Sequence, residues 1–463
     1  LILSLKSRYS NDFKFKAADI RGESSLICDS EFCVCHHNNK GDREVFGEIV
    51  DCSYDPNLLK KNFALPETAY TLNLSRNNLT KVQFSLVLKS DTLSELLLNS
   101  NQITDISPDA FRLSNLKRLD LSDNDLQIIH KGTFDRLNKL EYLNLANNKF
   151  ATFEEITFHH LRDLKEIVLD NNNLGPSLED NNLFDRNGYG LTQKIQSLSI
   201  SGINLEIVHE NFFVYAFDLK RLIISNNNLS ETFEFPFTLE YLDISNNPIS
   251  EISEEDFINL VALRVLKLNN LMIKEIPGYA FESLHSLTNL ELERNKNLVN
   301  FSATAFGMEV LEDADDFVLE TLSLKGSRLT SLDEQLKVPF GQLIRLDLQG
   351  NFWNCDCNLK WIKKLQIHPD DYDHLRCYTP KQLYNSRIFD LDEKFFTCAI
   401  KSPSRHIVVT ISVITFCLLL TSLAVWVYMF MPRSQTTCDL AHMYSGAGYS
   451  MLPVQASTMR DPL

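Results

Sequence analysis

The sequence predicts an α/β repeat solenoid: a curved horseshoe with parallel strands on its concave face, a disulfide cap at each end, and one transmembrane helix beyond. Three observations predict it. The pattern L-x-x-L-x-L-x-x-N-x-L recurs along most of the chain, as in LKRLDLSDNDL (116–126), LEYLNLANNKF (140–150), LKRLIISNNNL (219–229) and LEYLDISNNPI (239–249). Four cysteines precede these repeats and four follow them. After the second group comes an uncharged apolar run, IVVTISVITFCLLLTSLAVWVYMFM, over 407–431. The composition excludes other classes. A net charge of −16 over 463 residues opposes a nucleic-acid binder, which needs a basic face for phosphates. With 44% hydrophobic and 23% charged residues, the chain is not largely disordered.

From the N-terminus, residues 1–27 read as a lead segment. The chain begins with Leu1-Ile-Leu-Ser-Leu5, which reads as the end of a signal peptide whose start lies upstream. A cysteine-rich cap follows over 28–68, with Cys28-x4-Cys33-x-Cys35-x16-Cys52. A zinc reading of Cys33-x-Cys35-His36-His37 is the alternative, but zinc sites prefer two to four residues between cysteines and a second ligand pair at matching distance. Four cysteines at each end of a repeat array that meets a membrane favour disulfides.

The repeats occupy 69–353. Twelve units start near 69, 93, 116, 140, 164, 195, 219, 239, 263, 287, 319 and 343, and seven of the eleven spacings are 24. The alternation of a strand places positions four and six in the core and aims positions three, five and seven outward. The ninth position is Asn in nine units: Asn77, Asn101, Asn124, Asn148, Asn172, Asn227, Asn247, Asn295 and Asn351. An amide there can satisfy backbone groups of neighbouring turns. Ile203, Leu271 and Ser327 interrupt that row. A Phe recurs about nineteen residues into most units (Phe111, Phe134, Phe158, Phe213, Phe257, Phe281 and Phe306), so a stacked convex spine is expected. Insertions at 175–194 and 308–317 map to surface loops, and the acidic run Glu309, Glu312, Asp313, Asp315 and Asp316 offers a surface for a basic partner. A second cap spans 354–399, with Cys355-x-Cys357-x19-Cys377-x20-Cys398 introduced by NFWNCDCNLKWI.

These repeats between two cysteine clusters resemble the extracellular leucine-rich-repeat proteins with N- and C-terminal flanking caps, a likeness covering residues 28 to 398. Cys-x-Cys opening a helix that contains Trp361 resembles that family's second cap. Sequence alone allows three pairings per cap. The resemblance implies Cys28–Cys35 and Cys33–Cys52 in the first, and Cys355–Cys377 and Cys357–Cys398 in the second. It also implies a protein-binding ectodomain like those of Toll-type receptors and leucine-rich-repeat adhesion molecules, although the 32 residues after the apolar run are too few for the intracellular signalling domain that Toll-type receptors carry.

Residues 400–406 read as a juxtamembrane linker. The apolar run over 407–431 would make roughly 37 Å of helix, enough to cross a hydrocarbon core of about 30 Å. Cysteines and sequons place the long N-terminal part outside the cell and the tail, 432–463, in the cytoplasm. Cys417 lies inside the span as an apolar filler, and Cys438 is a candidate for palmitoylation. In the tail, Tyr449-Ser-Met-Leu452 fits a tyrosine-based sorting pattern, Tyr444 and Tyr449 are candidate phosphorylation sites, and Asp461-Pro-Leu463 fits a C-terminal docking motif.

Four N-x-S/T sequons, at Asn73, Asn78, Asn228 and Asn300, are candidate glycosylation sites. Two trios of apolar residues fall at outward strand positions: Leu97, Tyr142 and Val168, and Ile223, Tyr241 and Val265. If contiguous, each forms a ligand-binding patch anchored by a Tyr. The chain carries no H-E-x-x-H, G-x-S-x-G or phosphate-loop motif, and His159-His160 reads as a surface pair, so neither an enzyme nor a cofactor is expected. The sequence thus predicts a single-pass plasma-membrane protein that recognises an extracellular protein or neighbouring-cell receptor, foremost in cell–cell adhesion, with homo-oligomers as one form. A co-receptor or decoy in immune or growth-factor signalling, recruiting a separate signalling partner, is the alternative. A matrix-binding protein is a third class.

Overall fold

The computed structural model describes residues 25–431, except 30–32, 38–46, 55–62, 86–87, 157, 179–182, 185–188 and 399–404. Two compact units, residues 1–398 and 399–463, divide the chain and are described separately. The lead segment before Ser25, Cys438, Tyr444, Tyr449, Leu452 and the C-terminal Asp461-Pro-Leu463 lie outside the described residues.

The first unit is a leucine-rich-repeat solenoid of about 13 turns. Twelve repeat strands, from Ala69–Asn73 and Glu95–Leu97 to Thr321–Ser323 and Arg345–Asp347, join one parallel sheet in chain order. The register advances by one repeat at each step, as Arg118 pairs with Tyr142 and Tyr142 with Glu166. In nine of the eleven three-residue repeat strands the centre is buried and the flanking residues are half exposed, because one face meets the core and the other meets solvent. A thirteenth parallel strand comes from the first cap, not from a repeat. Glu48–Asp51 pairs in parallel with Ala69–Asn73, while Val34–His37 closes the sheet antiparallel to it. That hairpin covers an edge that would otherwise present unpaired backbone groups.

Position seven corrects the outward assignment. Ser75, Ser122, Ser201, Ser225 and Ser245 are buried there. The chain is leaving the strand at this point, and the position-five side chain bends over it: the Ser122 amide donates to Asp120 Oδ1 and the Ser245 amide to Asp243 Oδ1. Position eight then turns sharply. In all twelve units it has a left-handed backbone, with φ from 52° at Asn270 to 70° at Gly326 and Gly350. Asn or Gly fills it in eight of them (Asn147, Asn171, Asn226, Asn246 and Asn270; Gly202, Gly326 and Gly350), since these residues adopt that region at least cost.

The Asn ladder links turn to turn. Asn124 Nδ2 donates to the carbonyls of Leu98, Leu121 and Ser122, and its Oδ1 accepts from the Ile103 amide of the preceding turn. Asn227 makes the same set with Ile200, Ile224, Ser225, Ile203 and Leu205. Burying an amide is tolerable here because both its donor and acceptor groups are satisfied.

The aromatic spine is denser and later than a one-per-repeat column. Its ring contacts run from Phe184 to Phe213, Phe233, Phe235, Phe257, Phe281 and Phe306, with the Phe257 and Phe281 centroids 6.1 Å apart. Phe233 and Phe235 fill a unit shortened to 20 residues. Phe111, Phe134 and Phe158 are also buried, and Phe158 meets Phe153.

The 308–317 insertion does not stay a solvated loop. Glu309–Glu312 forms a helical turn, Val310 packs partly on the core, and the Phe317 ring meets Phe306 at 5.2 Å. The segment opening the second cap is a 3-10 helix, Lys360–Lys364, carrying a buried Trp361 whose indole donates to the Leu332 carbonyl. Across the last strand, Arg345 grips the buried Asp371 of that cap through Nε and an Nη, each 3.2 Å from a carboxylate oxygen. The two caps are bridged by Cys28–Cys35 and Cys33–Cys52, and by Cys355–Cys377 and Cys357–Cys398. Each bridge restricts the unfolded chain and contributes about 2–4 kcal/mol.

In the second unit, one helix runs Arg405–Phe430 and so begins two residues before the apolar run. Its part Val409–Phe430 has mean hydropathy 2.2, and among the described residues it is the helix long and apolar enough to cross a membrane.

Candidate protein-binding face

The concave sheet presents two columns of side chains, the third and fifth residues of each unit. On the third-residue column two stacks recur. The Arg118 guanidinium lies 3.5 Å from the Tyr142 ring centroid, and Arg221 lies 3.6 Å from that of Tyr241. In both, the Arg occupies position three of one turn and the Tyr position three of the next, so the roughly 5 Å strand spacing sets the stacking distance.

The neighbours of the two stacks differ. Arg118 is also ion-paired with Glu95 at 3.1 Å, and Tyr142 is followed in the column by Glu166. Leu97 faces Asp120 across the sheet, Asp120 faces Asn144, and Asn144 faces Val168. The first trio is therefore divided, with two polar residues standing between Leu97 and Val168. In the second, Tyr241 pairs directly with Val265, while Ile223 lies one strand back in the adjacent column, beside Asp243. Of the six residues the register pairs only Tyr241 with Val265, because positions three and five form separate columns.

Burial among strands pushes the Tyr142 phenol up. Asp170, at position seven between the two stacks, is also pushed up by burial, although Ser199 Oγ and the Ser201 amide donate to it at 2.7 and 2.8 Å. For Lys267, burial favours the neutral amine, but Glu291 at 2.9 Å outweighs it and holds the ammonium above its ordinary range. On the strand-entry flank, Glu141 sits between Lys165 at 2.9 Å and Lys117 at 3.5 Å, which hold its carboxyl below the usual range. Lys220 does the same for Glu240.

The sequon residues fall on distinct surfaces. Asn73 is half-buried on the concave side, its Nδ2 donating to Asp51 and its Oδ1 accepting from the Ser75 amide. Asn78 and Asn228 are exposed on the turn that leaves the strand, and Asn300 is exposed in a two-residue strand, Asn300–Phe301, that pairs with Glu275–Ile276 away from the main sheet. Cys33 and Cys35 spend their sulfurs on disulfides, which removes them as thiolate ligands for a metal beside His36.

A leucine-rich-repeat family model matches residues 67–126, 91–150, 114–174, 217–270 and 237–296. The chain is 30% identical over 119 residues to leucine-rich repeat-containing protein 3 of Danio rerio, covering 25% of this chain and 41% of that protein. The match therefore spans less than half of that relative. Among solved structures, the chain is similar to one from an octameric complex of Latrophilin 3, Unc5D and FLRT2, at 20% identity and a TM-score of 0.49 over 74% of this chain and 95% of that one. A leucine-rich-repeat protein of Leptospira interrogans matches at 22% identity and a TM-score of 0.48 over 68% of this chain and 82% of that one. The fold class is that of a leucine-rich-repeat protein, a scaffold whose extended concave surface commonly serves protein recognition.

Proposed function

We propose that this protein is a single-pass cell-surface recognition molecule that binds a protein ligand through its concave face, foremost in cell–cell adhesion. The Arg221–Tyr241–Val265 cluster carries the reading: a Tyr held rigid by a stacked guanidinium beside an aliphatic side chain, at solvent-facing strand positions. Rigid aromatic anchors with a neighbouring Arg are the side chains that dominate protein interfaces. Disulfides at both caps support placing residues 28–399 outside the cell, since such bonds persist in oxidising compartments. The apolar helix would then anchor that ectodomain, with residues 432–463 on the cytoplasmic side.

Cell aggregation tests the reading. The full chain is expressed on non-adhesive suspension cells, which are mixed with labelled untransfected cells. Clusters of expressing cells alone support homophilic adhesion, and mixed clusters support a heterophilic partner. No clusters despite confirmed surface expression rejects adhesion and favours a co-receptor, which the ectodomain as bait would then identify by its heterologous partner.

A further inference from the structure

The flank from which the chain enters each strand changes character along the solenoid. The residue two places before each repeat is Asp91, Ser114, Asn138, Arg162 and then Gln193 in the first units. In the next three turns it is Phe217, Phe237 and Val261. These three are equivalent by register, each lying four residues before the strand residues Arg221, Tyr241 and Val265 that pair in sequence. They are 54%, 65% and 53% exposed, and the Tyr215 ring extends the row edge-on to Phe217 at 6.2 Å. One turn further, past His285, a pocket of about 360 Å³ opens beside the 308–317 insertion, lined by Phe317, Val318 and the carboxylates of Asp313, Asp315 and Asp316.

A contiguous apolar row on a soluble surface marks a contact site. The charge around it selects the contact's chemistry. The pocket at its end gathers Glu282, Glu309, Asp313, Asp315 and Asp316, with His285 as the one basic side chain in its lining. Along the row itself charges balance, with Asp218 and Glu240 against Lys220 and Arg264, and Lys220 is paired with Glu240. The position-ten sequons Asn78 and Asn228 lie on the opposite flank, where the chain leaves the strands, so glycans there would leave this row open.

We infer that the flank from Phe217 to the Asp313–Asp316 pocket docks a cationic segment of a partner protein studded with apolar side chains. Its apolar residues cover Phe217, Phe237 and Val261, and its basic residues meet the carboxylates of the pocket. The inference rests on the reading of this protein as a protein-binding receptor, but places the contact on a surface distinct from the concave face.

The test uses the purified full chain in phosphatidylcholine nanodiscs and short fluorescent peptides that alternate Lys with Leu, Glu with Leu, or Lys with Ser. The Lys–Leu peptide is expected to bind at least about tenfold more tightly than either control, and F217S/F237S to weaken it at least about tenfold without changing the unfolding temperature. D313N/D316N should weaken it less and flatten its salt dependence. Equal binding of the Glu–Leu peptide, or an unchanged affinity in F217S/F237S, overturns the inference. Self-association that F217S/F237S abolishes would overturn it too, assigning the row to a second copy of the chain. Expressing cells separate this inference from the reading beneath it: if Tyr241→Ala abolishes cell contacts and F217S/F237S does not, the flank falls and the concave reading stands.

Discussion

The two halves of the solenoid, 69–174 and 195–306, are built on one template and end with opposite surfaces. Each buries an Asn ladder, turns through a left-handed eighth residue, and carries an Arg stacked on a Tyr one turn later. In the first half the stack is enclosed by Glu95 and Glu166, and the entry flank is a chain of ion pairs, Lys117–Glu141–Lys165 and Asp163–Lys194. In the second half, the same stack adjoins Val265, and the entry flank keeps one such ion pair, Lys220–Glu240, beside the exposed Phe217, Phe237 and Val261. Backbone and core are indifferent to this change. The first surface satisfies its charges internally, whereas the second exposes apolar area as well.

If the halves share one frame, its removal should cost the same in each. Asn124→Ala and Asn227→Ala each strand several buried backbone groups, so each should lose about 3 kcal/mol of stability by denaturant unfolding. Unequal losses would break the comparison at its base. Next in size is the surface difference. Tyr241→Ala should cost partner binding at least about 2 kcal/mol, and Tyr142→Ala less than about 1 kcal/mol, in titrations of soluble partner on expressing cells. Equal losses would show that the apolar neighbours do not matter.

Smaller still are the flank ion pairs. Glu141→Gln and Glu240→Gln should each cost under about 0.5 kcal/mol at low salt and nothing measurable at high salt. Both carboxyls titrate below their ordinary range when folded, so this contribution is present above the unfolded value and disappears as pH falls through the folded one. Asp170 behaves oppositely. Burial raises its folded value, so its carboxylate weighs against folding at neutral pH, and the penalty is relieved as pH falls through that value. Asp170→Asn, which retains an acceptor for Ser199 and Ser201, should raise the unfolding temperature slightly at neutral pH and not at low pH.

The repeat strands were readable in number and order, since twelve units placed by their leucines match twelve strands. Other features escaped for identifiable reasons. The thirteenth strand, Glu48–Asp51, lacks the repeat motif and joins the sheet because the first cap folds back on its edge. Position seven looked outward by simple alternation, but the strand ends at position five and the chain has begun to turn. Phe233 and Phe235 joined the spine only because their unit is four residues short. The division of Leu97 from Val168 needed the two-column register, and the flank row needed exposures: Phe217 at 54% and Phe213 at 8% are both phenylalanines near the end of one repeat.

By itself, the sequence determined everything that a repeating local rule can express: buried leucines at alternating positions, an Asn whose amide serves neighbouring turns, two clusters of cysteines, and an apolar run of membrane length. Those constraints act within a residue's own turn or between adjacent turns, and so appear as periodicity. The tertiary structure alone decided which outward residues meet. Neighbours on the sheet are twenty to thirty-two residues apart, and insertions change that offset from turn to turn. Two side chains share a surface only when strand register, column and turn shape coincide, and stacking the turns is what creates that coincidence.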